Sequence, residues 1–163
     1  MPSWIAYALA PGRWLTASLL VGAFSCAQAG PPPPADKAGA ITNRVRLFLI
    51  APDDAGKGGR RVGCGDSVIP VEVNLPRAGP ALEGALEALL ALDQRFEPTS
   101  GLYNSLYGSR LQVEKVERNG GPQVRVYLTG YLEVGGSCDA PRILSQLQET
   151  ALQFQDVQQV QFF

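Results

Sequence analysis

The spacing of apolar residues along this chain switches between two and three-to-four and back, and that alternation restricts it to a mixed α+β architecture. Residues 44–50, RVRLFLI, alternate, with Val45, Leu47 and Leu49 on one face and Arg44 and Arg46 on the other. Residues 67–75, SVIPVEVNL, alternate again with Ile69, Val71, Val73 and Leu75 inward, and Pro70 directs this strand to a sheet edge or an unpaired position. Over 80–93 the period becomes helical: Leu82, Ala85, Leu86, Leu89 and Leu90 share a face, and Pro80 suits the first turn. A long loop follows over 94–110, rich in Gly, Ser, Pro and Asn and carrying Phe96, Tyr103 and Tyr107. Two further alternating runs flank Asn119-Gly120, a tight-turn pair that predicts a hairpin. Val124, Val126 and Leu128 face one way, Leu132 and Val134 continue their phase, and Gly130 marks a bulge or a bend. A second helix follows Cys138, with Ile143, Leu144, Leu147, Ala151 and Phe154 as its buried stripe; VQQVQFF closes the chain as a strand with Val160 and Phe162 inward. The order β-β-α-β-β-α-β predicts a single layered α+β domain, a largely antiparallel sheet with two helices packed on it.

Composition narrows the function classes. The chain has 163 residues, 45% hydrophobic and 18% charged, which suits one folded domain. It contains no histidine, and so lacks the commonest general base, the commonest zinc ligand and any Ser-His or Cys-His arrangement. Net charge is −1, and acidic residues slightly outnumber basic ones. That balance argues against nucleic acid or an anionic membrane surface as the main partner, since both require a basic face. No cofactor motif is present: in Lys57-Gly58-Gly59-Arg60-Arg61 the lysine is followed by glycine rather than Ser or Thr, so the stretch reads as a hairpin tip with solvated charges, not a phosphate loop.

The front of the chain reads as a leader. Arg13 precedes the uncharged apolar run WLTASLLVGAF at 14–24, which is too short to span a bilayer as a stable helix, and Ala27-Gln28-Ala29 forms a small-residue exit. Residues 1–29 are therefore expected to be a secretory signal. Cys26, after Ala23-Phe24-Ser25, also resembles a loose lipobox, and a lipid anchor there is the second outcome, giving the chain its one route to a membrane. Residues 30–42 hold four consecutive prolines and read as a spacer, leaving 43–163 as the folded domain.

Either leader predicts an extracytoplasmic location, where disulfides persist. Cys138 stands just before a helix, where the dipole lowers a thiol's pKa, so an activated nucleophile is one reading. The other is half of a disulfide with Cys64, and an even pair left in an exported domain favours this staple. The long loop it closes corresponds to roughly 4 kcal/mol in the chain-entropy model.

Four segments together resemble a family: Gly63-Cys64-Gly65-Asp66, the loop from Gly101 to Ser109, the segment Gly136-Ser137-Cys138-Asp139-Ala140-Pro141-Arg142, and Gln148 to Phe154. They are similar to the GerMN domain of spore germination and sporulation proteins, over roughly residues 43–163. The resemblance implies an exported, non-catalytic module of cell-envelope assemblies, and it too favours the Cys64–Cys138 bridge.

Against this background the residues with chemistry are few. If the bridge forms, Asp66 and Asp139 come close together. A carboxylate pair can perform acid–base hydrolysis, so a small envelope hydrolase is the alternative function. The competing roles are structural: Asp139 as cap of the second helix, Asp66 in a glycine turn, and Arg142 as ion-pair partner of either. Two carboxylates fall short of a calcium site, and no metal site is expected. Phe96, Tyr103 and Tyr107 are the candidate binding residues, with Leu102 and Leu106 turned inward and the tyrosines outward. The expected partner is an envelope protein or peptidoglycan.

Overall fold

The structure, a computed structural model, describes residues 42–76, 79–118 and 120–163. The leader read over 1–29, with Cys26, lies outside the described residues, as do Asn119 and all but Thr42 of the spacer read over 30–42. The elements are β1 (Thr42–Ala51), β2 (Arg60–Arg61), a 3-10 turn (Gly63–Gly65), β3 (Ser67–Pro76), α1 (Ala81–Leu90), β4 (Arg110–Arg118), β5 (Gln123–Tyr131), α2 (Asp139–Leu152) and β6 (Gln159–Phe162). Beyond the expected order there is one addition, the two-residue β2. The strands form two three-stranded sheets, β1-β3-β2 and β4-β5-β6, antiparallel except for the β5–β6 pair. Among the described residues, no helix is long and apolar enough to cross a membrane.

The main core lies where both helices meet both sheets. Leu47 and Leu49 of β1, Leu82, Leu86 and Leu89 of α1, Val124 and Val126 of β5, and Ile143, Leu147 and Ala151 of α2 are all buried there. The opposite face of β1 is apolar at its end: Phe48 and Ile50 form a second cluster with Val62, Val68 and Tyr103. Pro70 pairs with Phe48 of β1, while β2 reaches only Ser67 and Val68. The other side of β3 is thus unpaired at the proline, where a missing N–H costs nothing.

The outer edge of β1 would be open in a three-stranded sheet, yet from Arg46 to Ile50 its outward backbone groups are engaged. Gln153 Oε1 accepts from the Arg46 N–H at 2.7 Å, and its Nε2 donates to the Arg46 carbonyl at 2.7 Å. Thr150 Oγ1 accepts from the Phe48 N–H at 3.3 Å, and Gln146 Nε2 donates to the Phe48 carbonyl at 3.1 Å. Ile50 exchanges both backbone bonds with Tyr103, at 2.9 and 2.7 Å. Gln146, Thr150 and Gln153 fall at i, i+4 and i+7 on one face of α2, so that single face serves two alternate residues of the strand. Gln146 and Thr150 are fully buried, where an unpaired polar group would be costly.

Several local expectations are corrected. Arg118 pairs with Val124, so β4 and β5 are joined by a longer connection than the two-residue turn expected at Asn119-Gly120. Pro122 has no N–H to give to β4, and its carbonyl instead accepts from Gln158 and Gln159, tying the hairpin to β6. The bulge lies between Val113 and Lys115, not at Gly130. Gly130 is required for another reason: its φ is 116°, and a Cβ there would run into the Arg110 carbonyl. Leu132, Val134 and Leu144, expected inward, are 45%, 50% and 48% exposed. β5 ends at Tyr131, so its alternation no longer binds the residues that follow. With Phe163 they border an apolar groove of about 430 Å³ beside α2.

Replacing Gln146 by Leu keeps size and helix propensity but leaves the Ser105 N–H and the Phe48 carbonyl without partners. Urea unfolding should show a loss of about 3 kcal/mol, whereas Leu144→Gln on the exposed side of the same helix should stay within about 0.5 kcal/mol. Equal, small effects would contradict the edge-covering role.

Candidate functional site

The sequence-predicted site residues converge on one face, around the start of α2. The 3-10 turn places Cys64 at φ 68°, between two glycines, and Gly63 packs against Pro141 in the first turn of α2. The sulfur atoms of Cys64 and Cys138, 74 positions apart in the chain, are bonded, with their Cα atoms at 5.8 Å. No thiol remains there to act as a nucleophile.

The bridge brings Asp66 beside Arg142. Asp66 is fully buried; its Oδ2 accepts from Arg142 Nε at 2.6 Å and its Oδ1 from the Asp53 N–H at 2.9 Å. Burial raises the Asp66 pKa, but the Arg142 hydrogen bond, the Asp53 N–H and the arginine's charge outweigh it and hold the carboxyl below its ordinary value. The same hydrogen bond raises Arg142 against the effect of its own burial.

Asp139 is not the cap expected for α2. It is the helix's first residue, and its Oδ2 accepts from the Gly135 N–H at 2.9 Å, upstream of the helix. Its Oδ1 lies 3.5 Å from Arg142 Nη1, an (i, i+3) ion pair. The bridged Cys138 occupies the cap position without a side-chain cap hydrogen bond, and Asp139 lies one residue into the helix. The carboxylates proposed for hydrolysis therefore both lie against Arg142. Asp66 has no solvent-exposed surface, and a carboxyl held ionised is poorly suited to donate a proton at neutral pH. Among the described residues no group of three or more His, Cys, Asp or Glu gathers to hold a metal.

The aromatic loop adjoins this cluster, with Arg142 Cζ 5.5 Å from the Tyr103 ring centroid. Tyr103, expected to face outward, is buried at 8% exposure because its backbone completes the edge of β1. Burial also pushes its hydroxyl pKa up, aided by the Asp139 charge. Leu106 is buried and Leu102 half-buried, on the inward side expected for them. Asn104, almost fully buried, locks the loop. Its Nδ2 donates to the Leu92 carbonyl, its Oδ1 accepts from the Leu106 N–H and Gln146 Nε2, and its N–H donates to the Arg95 carbonyl. Phe96 is 50% exposed and Tyr107 half-buried, so these two are the aromatics that present surface.

Sequence reasoning did not single out Arg95. Its guanidinium carbon lies 5.6, 5.8 and 5.7 Å from the ring centroids of Phe96, Tyr103 and Tyr107. The only available signal was a cation next to Phe96 in an aromatic loop; the convergence of three rings depends on the Phe96–Tyr103 bridge. In the basic tip at 57–61, by contrast, both arginines are engaged: Arg60 pairs with Glu149 of α2 at 2.8 Å, and Arg61 donates to the Ala55 carbonyl.

A folded pKa below the unfolded value means that Asp66 contributes stability above the unfolded value, near 3.9, and loses it as pH falls through the folded value. Asp66→Asn should therefore cost about 3 kcal/mol near pH 6 and narrow its deficit toward pH 3. Thermal unfolding of both proteins at the two pH values checks this; a deficit that is unchanged in acid would refute the ion pair's role.

Comparison with known proteins bears on this arrangement. The structure is similar to the tandem GerMN domains of the sporulation protein GerM from Bacillus subtilis, with a TM-score of 0.50 and 14% sequence identity. The match covers 78% of this chain and 42% of that one, so the chain spans less than half the length of that structure. At this identity the likeness concerns the fold. No curated protein matches the chain. A family model, Germane, described as sporulation and spore germination, matches residues 47–163, from β1 through the last residue and including both half-cystines, the aromatic loop and α2. The chain belongs to the Germane family of sporulation and spore germination.

Proposed function

We propose that the chain is an exported, non-catalytic binding or scaffold module of the bacterial cell envelope, acting in a sporulation- or germination-type assembly and docking through Phe96, Tyr107 and Arg95. One observation carries this reading. The side chains the sequence offers for chemistry are engaged with one another, Cys64 with Cys138 and both aspartates with Arg142, while Phe96 and Arg95 stand exposed beside them. Aromatic side chains on a rigid loop supply contact area at low ordering cost. Asn104 and the Tyr103 backbone provide that rigidity. Two features support export: a leader-like apolar run behind Arg13, and a bridge whose Cys64 is exposed and so depends on an oxidising compartment to persist. The partner is an envelope protein or peptidoglycan, and a membrane is reached only through lipid at Cys26.

Retention on washed envelope fractions tests the docking face. Phe96→Ser with Tyr107→Ser should keep most of the melting temperature and raise the Kd for the envelope fraction roughly tenfold, a loss of about 1.4 kcal/mol. Tyr103→Ala should instead melt several degrees lower. Undiminished retention of the double variant, or a full-length unmodified product in the cytosol, would contradict the proposal.

A further inference from the structure

Two arginines lie over the Tyr103 ring, and their circumstances differ. Arg142 is partly buried and consumed by Asp66 and Asp139. Arg95 is exposed, lies over three rings, and has no carboxylate within ion-pair distance among the described residues. The acids next to it in sequence are occupied. Glu97 Oε2 accepts from the Thr99 and Ser100 N–H groups and the Ser100 hydroxyl, and Asp93 Oδ1 accepts from Gln94 Nε2. Those hydrogen bonds hold Glu97 ionised below its ordinary range, turned into its own turn. A guanidinium over aromatic rings loses little conformational freedom when it binds, and its N–H edge has the fork geometry that matches a carboxylate.

We infer that Arg95 is a receptor for a carboxylate of the partner, presented by an acidic peptide segment whose neighbouring apolar side chain lies against Phe96 and Tyr107. The inference rests on the docking face proposed above and names the chemistry it takes. A peptide fits better than a glycan. Of the two rings that present surface, Phe96 has no polar tip and only Tyr107 carries a hydroxyl, while Ser100 and Asp139 are already engaged.

The test uses the purified full chain with three small probes followed by NMR: N-acetyl-leucine, N-acetyl-leucinamide and N-acetylmuramic acid. N-acetyl-leucine should shift the Arg95 Nε–H and the Tyr107 ring signals, binding about tenfold more tightly than the amide. Arg95→Gln should abolish that difference, and Arg95→Lys should restore only part of it, because an ammonium lacks the fork. Equal binding of acid and amide at Phe96 and Tyr107 would overturn the carboxylate assignment while leaving the docking face intact. Tighter binding of the sugar acid would overturn the peptide assignment. No response at these residues to any probe at millimolar concentration would overturn both this inference and the docking face.

Discussion

The outer edge of β1 is the constraint on which the rest of the domain depends. A three-stranded sheet with an open edge leaves backbone N–H and C=O groups to water or to another chain. Here Gln153, Thr150 and Gln146 of α2 and the backbone of Tyr103 serve Arg46, Phe48 and Ile50 in succession. These bonds fix α2 in both direction and rotation, because its polar face must meet alternate residues of one strand. Once that face is fixed, Ile143, Leu147 and Ala151 on the adjoining face necessarily point into the core between the two sheets.

The site follows from the same placement. With α2 held along β1, its first turn comes to the start of β3, where the glycine-flanked turn at 63–65 delivers Cys64 to Cys138 and Asp66 to Arg142. Gln146 also accepts from the Ser105 N–H and donates to Asn104, so the aromatic loop is held by the residue that covers the strand edge. The exposure of Arg95 and Phe96 is therefore a product of rigid surroundings. With Tyr103 committed to β1, its ring is the one turned inward and Phe96 stays at the surface.

Periodicity made the element order legible, since each core element buries one regular face. The convergence of Cys64, Cys138, Asp66, Asp139 and Arg142 was legible as well, because a single covalent bridge brings their segments together. What periodicity hides is polar burial. Gln146 and Thr150 sit beside the apolar stripe of α2 and look like solvated helix residues; only the position of an unpaired strand edge reveals their role. Tyr103 was misplaced for the same reason, as its inward turn is dictated by a backbone pairing with Ile50 that side-chain type does not encode. Leu132 and Val134 misled in the opposite sense: they continue an alternation after the strand imposing it has ended.

Hydrogen exchange at the β1 edge tests the central claim most directly. The amides of Arg46, Phe48 and Ile50 have no strand partner on that side, so ordinary edge amides there would exchange at the rate of local fraying. If α2 and Tyr103 cover the edge, Phe48 and Ile50 should exchange only through global opening, as slowly as the core amide of Val126. Arg46, nearer the surface, should follow closely behind. Rapid exchange of Phe48 and Ile50 in a protein whose Val126 amide stays protected would show that the edge is open and would contradict the account.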